Sequence, residues 1–439
     1  MGAAGTPHPL VFPEGGFAPL PDLPPGLRGQ SPRSERFDPD PVVNYRAVVS
    51  PRDEVQELLD RGPAGARYGI YVHCLFCLRR CPYCDFNVAI YREDRGVAFL
   101  TALTAELDRY AALPWAGRVP AASLFFGGGT PSLLPPEAIG RLIEDARRRL
   151  GLAAAAEVTL EANPEGLDEP RLAAFRAAGI TRLSLGVQSL DDALLRRLGR
   201  EHSAALARHA YAAARRAGFD NVSVDLLYGG PGQDLGTWLA TLDEVLGWAP
   251  EHLSAYALTL EPGTAFGRRP PPDLPDEAVT IAQFERLVER AAAAGLERYE
   301  ISNFARPGFR SRHNLLYWRR EEYLGLGPGA HAALGAARFG NERSQTRYRA
   351  ALGAGRWPIA WSEHLSEAQV RGERIVLGLR LAEGIPRTWL EAHFAGTPGR
   401  LARLLERYVE AGVLADAGGR VTLTPRGVLL SDSLFAELV

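Results

Sequence analysis

From Arg67 onward apolar residues follow two alternating rhythms. Short runs rich in β-branched and aromatic residues alternate with longer Ala-, Leu- and Arg-rich stretches of helical spacing. The short runs predict strands over 69–73, 123–126, 157–162, 182–187, 222–227 and 253–260. The longer ones predict helices near 94–112, 136–149, 169–178, 203–217 and 235–247. Repeated strand-then-helix units build a parallel sheet, because each helix is the crossover that returns the chain to the same end. The six strands therefore predict an α/β fold, a partial (βα)6 TIM-like barrel over 67–265. In such barrels, chemistry gathers at the C-terminal ends of the strands.

The flanks read differently. Residues 1–66 are rich in Pro, Gly and Arg and show little periodicity before 52–59, which predicts an irregular extension ending in one short helix. Residues 266–365 carry a helix near 275–294 and then a Gly-rich stretch expected to be irregular. Residues 366–439 read helix, helix, short strand, Gly418-Gly419 turn, strand and helix, a small winged-helix-like α+β domain. No basic helix face is read there, so a lid over the barrel is expected rather than nucleic-acid binding.

A hydrophobic content of 46% and a charged content of 23% are those of a globular protein with an ample core, and 439 residues suggest two or three domains. A net charge of −2 calls for neither nucleic acid nor an anionic membrane. Every Lys/Arg position is Arg, a sign of codon usage rather than of function. The chain opens with no basic n-region or apolar h-region, so a cytoplasmic location is expected. Met1 to Thr6 fits the short, permissive myristoylation pattern. The longest uncharged stretch, Val119 to Pro136, is broken by Gly and Pro and predicts no transmembrane segment.

All four cysteines lie between 74 and 84, which argues for a metal site in a reducing compartment and against disulfides. Cys77, Cys81 and Cys84 form CxxxCxxC. Three thiolates can hold a [4Fe–4S] cluster and leave one iron open. With Cys74 included, four thiolates could instead close a zinc site. Cys74 follows Tyr71-Val72-His73 in a predicted strand, which turns it toward the core.

Further candidates fall at the ends of successive predicted strands. Strand two ends in Phe126-Gly127-Gly128-Gly129-Thr130, where a ligand could lie against backbone amides. Strand three ends with Glu161, a carboxylate suited to ribose hydroxyls. Strand four ends with Gln188, followed by Arg200, whose guanidinium suits a carboxylate. Strand five contributes Asp225. Each alone is more often a surface or capping residue; together they are hard to assign to packing.

These segments resemble the radical S-adenosylmethionine (SAM) superfamily, in its oxygen-independent coproporphyrinogen III oxidase-like branch. Within it the match is to the heme-chaperone (HemW) subgroup. The resemblance runs from about Tyr68 to the C-terminus. Its late matches include Asp225 to Gln233, Leu258 to Thr264, Tyr299 to Arg306, Arg312 to Trp318 and Gly325 to His331. It implies that Cys77, Cys81 and Cys84 ligate a [4Fe–4S] cluster. It also implies that Tyr71, Gly128, Gly129, Thr130, Glu161, Gln188, Arg200, Asp225 and Thr259 surround SAM.

Two functions follow from that resemblance. In the first, the protein carries heme to acceptors, respiratory heme proteins among them, with His313 and Tyr317 of His313-Asn314-x-x-Tyr317 contacting the heme. A flavodoxin-like electron donor and a peripheral meeting with the inner membrane go with this reading. In the second, it is an enzyme that decarboxylates coproporphyrinogen III through a 5′-deoxyadenosyl radical. The carrier is favoured, because Phe86 stands where the oxidase pattern has a further cysteine and the His313 motif belongs to the carrier pattern. Radical methylation is a third possibility that no residue singles out. One departure touches the site itself: Cys74-Leu75 replaces the usual Ile-Pro ahead of the cluster loop.

Overall fold

The computed structural model describes residues 52–438. Most of the Pro/Gly-rich extension and the acylation pattern lie outside the described residues; the short helix expected at its end is α1 (Arg52–Arg61).

Six parallel strands stand side by side in chain order: β1 (Tyr68–Cys74), β2 (Ala121–Gly128), β3 (Leu152–Ala162), β4 (Arg182–Gln188), β5 (Val222–Tyr228) and β6 (His252–Ala257). Helices α2 (Glu93–Ala111), α3 (Pro136–Leu150), α4 (Glu169–Ala177), α5 (Ala204–Arg216) and α6 (Leu235–Gly247) return the chain between them. Asp168, Ser203 and Asp234 cap α4, α5 and α6 by accepting from Arg171, Leu206 and Thr237 N–H, so each of these helices starts where a short polar residue satisfies its free amides.

The strands alternate sharply. Val158, Leu160, Leu183, Leu185, Val222 and Val224 are fully buried and form the apolar core with the helices. Their neighbours Glu157, Thr159, Arg182, Ser184, Ser223, His252 and Ser254 are also buried, yet polar. Side chains of a strand point alternately to opposite faces, so these polar groups share the inner face of the barrel.

The stretch expected to be irregular is not. After α7 (Glu277–Ala293), the strands β7 (Glu297–Arg298) and β8 (Asn303–Ala305) extend one edge of the sheet. The helix α8 (Arg312–Trp318) follows. Then β9 (Tyr323–Leu326), β10 (His331–Leu334), β11 (Ala337–Asn341) and β12 (Ile359–His364) extend the other. β9 pairs parallel with β1, a seventh parallel strand that the periodicity of the sequence did not reveal. The sixth predicted strand ends at Ala257 rather than 260, which leaves Thr259 in the loop beyond it.

The turn after β9 is pinned from two sides. Gly327 has φ +99°, and a Cβ there would meet His73 O at 2.6 Å. Buried Glu106 of α2 accepts from Gly327 N–H at 2.8 Å, Asn341 Nδ2 at 2.6 Å and Tyr348 OH at 2.6 Å. Burial nevertheless pushes its carboxyl up to about 7.

The C-terminal unit comprises α9 (Glu367–Leu379), β13 (Ile385–Pro386), α10 (Arg387–His393), α11 (Pro398–Glu410), β14 (Leu414–Ala417) and β15 (Arg420–Leu423). Its sheet order β13-β15-β14 and its helix–strand–helix–helix–strand–strand sequence are winged-helix-like. It is joined to the barrel by Ala382 N–H to Tyr299 O at 2.9 Å and by Glu373, which pairs with Arg320 and Arg338.

Gly327→Ala must move backbone at the end of β1 and strain the turn, so it is expected to lower unfolding free energy by about 1–3 kcal/mol in denaturant titration.

Candidate cluster and cofactor site

Cys77 follows β1 directly, in a two-residue pairing of Phe76–Cys77 with Ala89–Ile90. The loop between these pairs carries Cys81 and Cys84, and Asn87 Nδ2 ties it to Pro328 O at 3.0 Å. Cys77, Cys81 and Cys84 are partly exposed, whereas Cys74 is fully buried in the apolar core. Burial pushes the Cys74 thiol far up, which holds it protonated. Cys74 thus stands apart from the other three, and a four-thiolate zinc site is not assembled. Among the described residues no three Cys, His, Asp or Glu side chains converge as they would on a single metal ion.

A ring of polar groups holds two of those sulfurs. Thr130 Oγ1 donates to Cys77 Sγ at 3.6 Å and accepts from Asn163 Nδ2 at 3.1 Å. Asn163 Oδ1 accepts from Arg200 Nη2 at 2.5 Å, and Arg200 Nη1 reaches Cys81 Sγ at 3.8 Å. Burial raises the Cys77 thiol against the donated bond from Thr130, and raises Cys84 to about 11. Their thiolates would depend on the positive charge of bound iron.

Beside the ring lies a pair of half-buried acids, Glu161 and Asp225. Glu161 Oε2 accepts Gly128 N–H at 3.0 Å, and its carboxyl is pushed up to about 7 by burial and then by the charge of Asp225. Asp225 is raised by burial, although Ser184 donates to both of its oxygens at 3.2 and 3.0 Å and Ser223 donates at 3.1 Å. Gly128 sits at φ +103° with a Cβ position only 2.5 Å from the His73 ring, so no other residue fits there. Gln188 at the end of β4 also has positive φ, 64°. Tyr71 OH is hydrogen bonded with His73 Nδ1 at 3.0 Å.

Comparisons with known proteins identify the family. A family model described as "Radical SAM superfamily" matches residues 71–245, and one described as "HemN C-terminal domain" matches 365–430. "Heme chaperone HemW" of Mycobacterium tuberculosis is 39% identical over 388 residues, covering 85% of this chain and 95% of its own. The chain belongs to this family, the radical SAM coproporphyrinogen oxidase-like branch and its HemW subgroup. "Heme chaperone HemW" of Escherichia coli is 35% identical over 83% of this chain and 96% of its own. The solved "Coproporphyrinogen III oxidase (HemN) from Escherichia coli" covers 91% of this chain and 95% of its own with TM-score 0.78. At 22% identity it shows the shared fold alone.

Membership of the family implies a 4Fe–4S cluster and SAM. The arrangement brings Tyr71, Gly128, Gly129, Thr130, Glu161, Gln188, Arg200 and Asp225 to the same end of the barrel as the cysteines. Thr259 is exposed beyond β6, and its hydroxyl reaches only Ala257 O, at 3.5 Å. The backbone amides behave otherwise than the sequence suggested. Gly128, Gly129 and Thr130 N–H are taken by Glu161, by Cys74 O at 2.7 Å and by Phe76 O at 2.6 Å. An incoming amino group would therefore meet carbonyl oxygens in this turn.

His313 lies in α8, sealed against the inner face of the barrel. Ser123 Oγ is 2.8 Å from Nδ1, Tyr317 OH is 2.8 Å from Nε2, and the ring stacks on Phe125 at 5.1 Å. Burial, helped by Arg182, lowers its pKa to about 3, so it is neutral. Both ring nitrogens are engaged, and an iron could reach Nε2 only if Tyr317 moved away.

Asn163, Glu157, Arg182 and His252 had no individual role in the reading of the sequence. Glu157 accepts the Arg312 and His313 amides at 2.9 and 3.2 Å and so anchors the start of α8. Arg182, 2% exposed, lies within the electrostatic reach of Glu161, Asp225, His252 and His313. A signal was present: Glu157, Thr159, Glu161 and Asn163 alternate with apolar residues, as do Arg182, Ser184 and Gln188. Parallel strands buried on both faces ordinarily read as continuous apolar runs.

Two outcomes test the site. Because Glu161 titrates near 7 when folded rather than 4.5, its stabilising protonation is complete below about pH 4.5 and is lost as pH rises through 7. Glu161→Gln is expected to flatten that fall by up to about 3 kcal/mol in thermal unfolding of the metal-free chain, and to abolish SAM binding. Asn163→Ala is expected to release Arg200 from the ring and to slow cluster retention, read as faster loss of iron to a chelator, with stability reduced by about 1–2 kcal/mol.

Proposed function

We propose that this protein holds a [4Fe–4S] cluster on Cys77, Cys81 and Cys84, binds SAM beside it, and carries heme to acceptor proteins. The observation that carries the reading is the 39% identity to a heme chaperone across 85% of the chain. The site supports it: three cysteines share one partly exposed loop after β1, and the fourth is sealed in the core. A bound cluster would supply one-electron chemistry and an open iron for the amino and carboxylate groups of SAM.

The residues of the chain supply the rest. Arg200 and Thr130 donate hydrogen bonds to the sulfurs and so favour the electron-rich state of the ligands. Glu161 and Asp225 offer acceptors to ribose hydroxyls, and three serines on the inner face hold Asp225 in place. The carbonyl oxygens of the Gly128 turn suit an ammonium. Tyr71, fixed by His73, gives one wall. Phe86 is 57% exposed beside the loop, so a side chain with no ligating atom stands where the oxidase pattern places a further cysteine.

Heme-accepting proteins are the partners this reading implies, with respiratory acceptors and a flavodoxin-like donor as the expected kinds. Among the described residues no helix is long and apolar enough to cross a membrane. Anaerobic reconstitution is expected to give about four irons and four sulfides per chain and a brown chromophore, with the EPR signal of the reduced cluster changed by SAM. Stoichiometric zinc without colour would overturn the cluster. Hemin addition is expected to shift the Soret band. Conversion of coproporphyrinogen III to protoporphyrinogen IX with SAM and a reductant would establish the oxidase instead.

A further inference from the structure

A second concavity lies at the seam between the barrel and the winged-helix-like unit, with a volume of about 310 Å³. None of its lining residues belongs to the cluster loop or to the barrel strands. α8 presents His313 and Leu316 to the interior of the barrel, and its last residue, Trp318, lines this cleft instead. The facing wall comes from Arg374 of α9 and Trp389 of α10.

The chemistry of the lining is uneven in charge and rich in flat aromatic surface. Arg319, Arg374 and Arg420 stand there against a single acid, Glu383, which Arg319 meets at 3.5 Å. The Arg374 guanidinium lies 4.1 Å from the centre of the Trp389 ring. Trp318 Nε1 is buried with no hydrogen-bond partner among the described residues, a donor left over. Two indoles and surplus guanidinium together suit a flat aromatic ligand that carries carboxylates. None of the usual axial ligands of heme iron, His, Cys, Met or Tyr, is among the lining residues.

We infer that this seam holds the carboxylate edge of a tetrapyrrole, with its ring against Trp318 and Trp389 and its carboxylates on Arg374 and Arg319. The inference rests on the carrier reading and gives the cargo a place other than His313. A cleft of this size takes one edge of a macrocycle and leaves the other in solvent, as a carrier that must hand over its cargo requires. Recognition of ring and carboxylates makes binding indifferent to the metal.

The test is absorbance titration of the reconstituted full chain with hemin and with metal-free protoporphyrin IX. Wild type is expected to bind both with affinities within about threefold of each other. Arg374→Glu and Arg319→Glu reverse charges on exposed side chains. Each is expected to weaken both ligands by about tenfold or more while circular dichroism stays unchanged. Trp389→Leu adds a variant that keeps the charges and removes the stacking surface. Binding of hemin without protoporphyrin, or unaltered affinity in both charge reversals, overturns the seam and leaves the carrier reading standing. Binding of neither ligand by wild type overturns both.

Discussion

Polar side chains on the inner face of the barrel are largely cut off from water, and much of the structure is arranged around pairing them. Burying such a group without a partner costs more than one hydrogen bond returns. The interior answers with mutual pairing: serines on Asp225, a backbone amide on Glu161, two helix amides on Glu157, a serine and a tyrosine on His313. Apolar side chains alone would pack more easily and bind no cofactor. The interior keeps two carboxylates near the mouth whose ionisation is opposed by burial and by each other. Carboxylates shifted in this way cluster at functional sites.

α8 is the part that closes this interior. Its first amides are satisfied by Glu157 and its histidine by β2 and by its own tyrosine, while the ring of its last residue packs under Arg380 of the neighbouring unit, 4.6 Å over Trp318. One short helix therefore touches both the polar interior and the seam. A disturbance of its anchoring is felt on both sides, because packed interfaces shift between discrete arrangements rather than bend.

Much of this was legible in the chain. Six strands and their helices follow from two hydrophobic periods, and the three cysteines announce themselves by spacing. Other parts were hidden for identifiable reasons. β9 to β12 are only four to six residues long, and a glycine interrupts β9 and β11, so no period survives in them. Thr259 was assigned to a strand that stops two residues earlier, since Leu258 and Leu260 continue its pattern. His313 reads the same in sequence whether it faces solvent, a ligand or Ser123. Asn163 and Arg200 sit 37 residues apart, and only the barrel brings them into one ring with the cysteines.

The pairing of β9 with β1 has a consequence for biogenesis. Gly69 meets Tyr323 in register, so the strand that leads into the cysteine loop has an open flank until a segment some 250 residues later has been synthesised. During translation that flank is a bare ladder of amides and carbonyls beside three thiols. A chain truncated before Tyr323 would present its thiols on an unfinished sheet.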